Sequence, residues 1–343
     1  MVQVFDALHK VLQRHQAFWQ CGAVDRPLLG IARKPSTPIQ AFDWGLTFDE
    51  GLLQPEMLAV DHFLPQYEAS YATEGLYDGD LFWTAHPPGI PWMEAIVGCP
   101  VRFSRTSGSI FTGSVISAWN PAPHLESLST NRWFQKLIEF TEGLVNLSQG
   151  RFPVAVPITR GPWDMVAALR GMTNLYLDLH DHPAKVRRLA EACADVWVAV
   201  TQRLSKTIPP WQGGYVGAYG QWESRFNPSP QNDISVSVSP KTYCEMMLSV
   251  DQKTVQAWPS ALFHLHSAGY RHIDSLLDIL DGRALEVNLD PSGPPLDKLL
   301  PVFRKVQDRH VPLMLHSHHW NQVEELTAAL SPRGLAFYYV PVK

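Results

Sequence analysis

Residues 261–270 read ALFHLHSAGY, and two later stretches repeat the same pattern: ALEVNLD at 284–290 and VPLMLHSH at 311–318. Side chains on a strand alternate between faces. In the first stretch Ala261, Phe263 and Leu265 share one face, while Leu262, His264 and His266 share the other. In the second, Leu285, Val287 and Leu289 oppose Glu286, Asn288 and Asp290. In the third, Val311, Leu313 and Leu315 oppose Met314, His316 and His318. Each segment therefore has an apolar face and a face that turns polar toward its C-terminal end. Parallel strands with helices on the apolar side explain this, and in a barrel the polar ends meet at the C-terminal rim, where active sites sit.

The intervening sequence supports that reading. Helical periodicity is expected over 163–171, 183–205, 239–258, 273–280, 296–309 and 322–330, with GLAFYYV (334–340) as a further strand. The helix at 239 starts with a Ser cap and Pro at its first position. FPVAVPIT (152–159) has the pattern of a buried strand, and GGYVGAYG (213–220) that of a glycine-loosened one. Alternating strands and helices predict parallel βα units, hence an α/β fold, a (β/α)8 TIM barrel. The first 150 residues are less regular. MVQVFDALHKVLQRHQAFWQ reads as an amphipathic helix, DRPLLGIARKP (25–35) as the first strand and its loop, and 36–130 as long excursions over the barrel mouth. The whole chain is expected to form one domain.

Composition narrows the function classes. A net charge of −5 with no basic stripe argues against nucleic acid as a partner. No run approaches the roughly 18 apolar residues of a membrane span. The four cysteines, Cys21, Cys99, Cys193 and Cys244, are dispersed with no CxxC, which fits a reduced cytoplasmic protein without a thiolate metal cluster. Twelve Trp and 28 Pro suggest long loops lined with aromatics.

The inward ring nitrogens of His264 and His266 can converge on one ion, since imidazole is a common ligand for zinc and related divalent metals. Glu286 or His316 could complete the set. The alternative is a hydrogen-bonded polar cluster that holds an anionic substrate without metal. Asp233, in a loop before the Ser239 cap, is a candidate proton donor or acceptor at the mouth, or an Asx-turn residue. Trp163, Tyr219 and Trp222 follow strand ends, where aromatics often line substrate pockets. Glu94 caps or pairs in a helix, or touches substrate.

Residues 151–190 resemble the uroporphyrinogen decarboxylase superfamily. The resemblance is carried by Gly161-Pro162, by Arg170-Gly171, and by Leu177-Asp178-Leu179 with Pro183 and Val186. It continues in PWMEAIVGCPVRF (91–103), in QNDISVSVSPKTYCEMM (231–247) and in the strand at 264–269, and spans roughly residues 15 to 340. It implies a (β/α)8 barrel and one of two chemistries. One is metal-free decarboxylation, with arginines binding the substrate's carboxylates. The other is methyl transfer with a corrinoid, using zinc held by a His-x-Cys pair and a later Cys.

The chain departs from both patterns. Only Arg33, with Arg26 nearby, approximates the decarboxylase's N-terminal arginines, too few for a porphyrinogen with up to eight carboxylates. The decarboxylase's Ser falls at Asp233. Against the methyltransferases, His264 matches the first zinc ligand, His266 replaces the Cys, and the later Cys falls near Val340 or Pro341, where no ligand stands. The resemblance thus implies a zinc-assisted methyltransferase with a small-molecule substrate, a corrinoid protein or small methyl carrier as partner, and a homodimer. A metal-dependent hydrolase or lyase, with Asp233 or Glu286 as base, and a non-catalytic tetrapyrrole or corrinoid binder are the alternatives.

Overall fold

A computed structural model describes residues 2–32, 38–120 and 125–341. Its centre is a parallel five-stranded sheet in an α/β chain. We label its strands β1 (Leu28–Ile31), β2 (Leu262–His266), β3 (Ala284–Asn288), β4 (Leu313–Ser317) and β5 (Leu335–Tyr339). The order is β1-β5-β4-β3-β2. The strands β2, β3, β4 and β5 lie within two residues of where alternation places them.

The two faces of the sheet belong to different cores. Phe263, Leu265, Leu285, Val287, Leu313, Leu315, Leu335 and Phe337 join the main core, which also takes in Leu276, Phe303 and Leu326 from the helices Ile273–Ile279, Leu296–Asp308 and Trp320–Ala329. The opposite face supplies Leu28, Leu262, Ala284, Met314 and Ala336 to a second cluster, together with Leu81, Tyr219 and Phe18. Phe18 arrives on the N-terminal helix Val2–Trp19. On β2 to β5 this face is therefore apolar at the start of the strand and turns polar from its middle or later residues, as the sequence pattern requires.

Register fixes which polar residues are neighbours. His264 pairs with Glu286 and Glu286 with Met314; one step on, His266 pairs with Asn288, Asn288 with His316, and His316 with Tyr338. His316 is thus two strands from His266, roughly 9–10 Å at the usual strand spacing.

Beyond β2 the chain 228–231 continues the parallel pairing. The Leu262 amide donates to the Pro228 carbonyl and the His264 amide to that of Pro230, and Gln231 bridges His264. GGYVGAYG, expected as a strand of this series, instead contributes Tyr215–Val216 to a short antiparallel hairpin with Trp222–Glu223. The reason is local: Gly217 and Gly220 turn the chain, and the Gly220 amide bonds back to the Gly217 carbonyl. FPVAVPIT is buried except at Ile158, yet its pairing is reduced to a parallel bridge between Val154 and Ala85. The excursions of the first half contain a helix over Val60–Glu74 and a three-stranded antiparallel sheet of Glu50–Leu53, Val101–Ser104 and Ser109–Thr112. Among the described residues no helix is long and apolar enough to cross a membrane.

Candidate functional site

The rim of the sheet gathers one compact set of ligand atoms. Asp233, the first residue of a 3-10 turn over Asp233–Ser237, emerges beside the end of β2 because 228–231 runs parallel to it. Its Oδ1 lies 3.6 Å from Nε2 of His264 and 3.7 Å from Nε2 of His266, beyond hydrogen-bond length. That oxygen is buried and has no hydrogen-bond partner among the described residues. The three ligand atoms lie within 4.8 Å of one another.

Each imidazole is fixed from behind. Nδ1 of His264 bonds the Glu286 carboxylate, and the Tyr219 hydroxyl lies 3.1 Å from the same nitrogen, its ring stacked on the imidazole at an interplanar angle of 9°. Nδ1 of His266 donates to Asp290 at 2.7 Å. Asp290 is held in turn by the Ser267 hydroxyl at 3.0 Å and the Asn288 amide at 3.0 Å. With both Nδ1 atoms occupied by carboxylates, both Nε2 atoms are left facing Asp233. This is the outer shell that metal-ligating histidines usually have.

The fit to a cation can be checked with simple geometry. Two donors 2.0–2.1 Å from a tetrahedral zinc are about 3.4 Å apart, a few tenths below the two Asp233 distances. Electrostatics agree. The carboxylates of Asp233 and Asp290, on either side of the ring, outweigh partial burial and raise the His266 pKa to about 10. Burial alone would depress His264, but the Glu286 charge and hydrogen bond, with Asp233, raise it. Burial would raise Asp233, and His266, His264 and Arg160 hold it below the usual carboxylate range. The pocket is built for positive charge. The two imidazoles and the carboxylate could hold a divalent metal; no thiolate joins them, since Cys99 and Cys193 are buried elsewhere and Cys244 faces Ser275.

The other sequence candidates take varied positions. Glu286 is fully buried behind His264, its second oxygen 3.8 Å from Nδ1 of His316. His316 therefore faces Glu286, two strands from His266, and burial lowers its pKa to about 4. Trp163 is wholly buried, its indole N–H donating to the Met247 carbonyl. Trp222 is buried against Phe82, Trp211 and Val216. Arg33 lies outside the described residues. Tyr219 touches His264 and also lines a 220 Å³ cavity with Trp83, Thr84, His86 and Tyr338. Sequence reasoning did not select His86, Tyr338 or Arg160. Tyr338 shares the register row of His266, which alternation in GLAFYYV could have indicated; His86 and Arg160 lie in segments with no regular period.

No protein-family model and no curated protein matches the chain. Among solved structures, a methyltransferase from Methanosarcina mazei superposes with a TM-score of 0.64 at 10% sequence identity, over 96% of this chain and 92% of that one. At that identity the likeness shows a shared fold, end to end.

Proposed function

We propose that this chain is a divalent-metal-assisted methyltransferase of the uroporphyrinogen decarboxylase superfamily, built on a closed (β/α)8 barrel. Closure is supported by the inner cluster, in which residues of all five strands meet Leu81 and Tyr219 around Phe18, and by the end-to-end likeness to a methyltransferase. The observation that carries the functional reading is the convergence of Asp233 Oδ1 with two Nε2 atoms, each imidazole oriented by its own carboxylate. Asp233, His264 and His266 are the ligands. Zinc is the first candidate, because a set of two imidazoles and one carboxylate suits zinc and its neighbours.

Once bound, such a metal lowers the pKa of a coordinated thiol or hydroxyl and so supplies a methyl acceptor at neutral pH. The chain's own residues do the rest. Glu286 and Asp290 hold the Nδ1 protons and fix the tautomers. Tyr219 keeps the His264 ring in plane. The methyl donor is a corrinoid carried by a separate protein or a small methyl carrier. The test is to mix zinc-loaded protein with methylcobalamin and a panel of small thiols and follow the visible spectrum. Thiol-dependent demethylation that disappears in His266→Ala is the expected result. An unchanged spectrum with every thiol, in protein that holds its metal, contradicts the methyl-transfer reading.

A further inference from the structure

The turn that follows the 152–159 segment carries an arginine, Arg160, immediately before Gly161-Pro162. Gly161 is pressed so closely on the next segment that a Cβ there would meet the Gln231 carbonyl oxygen at 1.8 Å. Gln231 in turn bridges His264. Four residues after Arg160, the buried Asp164 carboxylate accepts from the amides of Asp233 and Ile234, both at 3.2 Å. Arg160 is therefore anchored, through two backbone contacts, beside the segment that presents Asp233, and its charge acts on both Asp164 and Asp233.

Behind Arg160 stands Glu94, on the short helix Trp92–Ile96. Its side chain is 1% exposed, neither carboxylate oxygen has a hydrogen-bond partner among the described residues, and Nη1 of Arg160 lies 3.4 Å from Oε1. Burying an unpaired carboxylate is costly, so the guanidinium is what makes Glu94 tolerable there. Yet Arg160 is not consumed by Glu94. Its side chain is 56% exposed, Glu94 is its one ion-pair partner among the described residues, and a guanidinium has five N–H donors. An arginine backed by a buried carboxylate and open on its other edge is a receptor for a planar anion.

We propose that Arg160, positioned by Glu94, binds a carboxylate on the substrate, with the reacting thiol or hydroxyl of the same molecule at the Asp233–His264–His266 centre. The substrate class is then a small thiol or alcohol carrying a carboxylate. The assignment of the reacting end rests on the proposed function; the anion site does not. Glu94 and Asp164 are buried, whereas the Arg160 guanidinium beside them is 56% exposed, which makes it the group on this side of the site that can meet the anionic end of a ligand.

The test compares 3-mercaptopropionate with its neutral counterpart 3-mercapto-1-propanol by titration calorimetry, using metal-loaded and chelator-treated protein. Wild type is expected to bind the carboxylate about ten- to hundredfold more tightly, the usual value of a charged hydrogen bond. Arg160→Gln should erase the preference with metal content unchanged, and Arg160→Lys should restore part of it. Chelator-treated wild type should keep the preference at lower affinity. Equal binding of the two thiols by wild type, including none at millimolar concentration, overturns the proposal, as does a preference that survives in Arg160→Gln. A wild-type protein that takes up no metal but keeps the preference supports the anion site and contradicts the metal reading, so the two failures are distinct.

Discussion

Two groups of buried histidine chemistry in this chain use the same ring for opposite ends. His15, on the N-terminal helix, is fully buried and both its nitrogens are satisfied by backbone: Nε2 bonds the Asp80 carbonyl at 2.8 Å, and Nδ1 accepts from the Trp222 amide at 3.2 Å. Nothing is left over to bind a ligand, and burial lowers its pKa to about 4. At the rim, His264 and His266 satisfy only Nδ1, and do so with carboxylates, so Nε2 stays directed at Asp233. The first arrangement ties a helix to the turn at Asp80 and to the hairpin strand at Trp222. The second leaves three ligand atoms facing one another. A histidine's role is thus decided less by its burial than by which nitrogen is already occupied, and by what.

The largest effect should come from deleting one of the proposed metal ligands. His266→Ala is the cleanest choice, since His266 is only partly buried, whereas removing His264 would strand Glu286. We expect its zinc affinity to fall by more than about a hundredfold, beyond what outer-shell changes cost, with the melting temperature of the chelator-treated protein little changed. Competition with a chromophoric chelator measures this directly.

Next comes the backbone-tied histidine. Its folded pKa of about 4 lies below the ordinary 6.5, so the unfolded chain binds the proton more tightly. The stabilisation is fully present above pH 6.5 and is lost as pH falls through about 4, amounting to about 3 kcal/mol. Urea unfolding at pH 7 and pH 4 should show a loss in wild type that shrinks by that amount in His15→Gln. An unchanged difference between the two pH values would show that His15 is not held neutral by its burial.

A smaller effect is expected one layer out. Asp290→Asn keeps the shape but weakens the hold on the His266 proton, and should lower zinc affinity about 10- to 100-fold. Smallest is Tyr219→Phe, which removes a hydroxyl from Nδ1 of His264 but leaves Glu286 in place. A single neutral hydrogen bond corresponds to about a fivefold change in zinc affinity, measurable by the same competition. A result in which Tyr219→Phe exceeds Asp290→Asn would reverse the order of support around the two rings.

Much of this could be read from particular residues. The alternation in 261–267, 284–290 and 311–317 places β2, β3 and β4 and puts His264, His266, Glu286 and Asp290 on one face, because a buried strand must sort its side chains by side. What alternation cannot show is rotation within a face. His316 shares that face but stands two strands away and turns toward Glu286. The segment beside β2 was hidden because it reads NPSPQ; Pro228 and Pro230 cannot donate, yet their carbonyls accept from the amides of Leu262 and His264. GGYVGAYG looked more strand-like and was drawn into a hairpin by its glycines. Arg160 gave no periodic signal, since its position depends on the contact between Gly161 and Gln231, which are 70 positions apart in the chain.

The central claim is that Asp233, His264 and His266 hold one divalent ion. Elemental analysis of wild type and of the Asp233→Ala, His266→Ala double variant, both expressed with zinc and dialysed, tests it most directly. About one equivalent of metal in the wild type and almost none in the double variant is the predicted result. Metal-free wild type, or a double variant that retains a full equivalent, would contradict it.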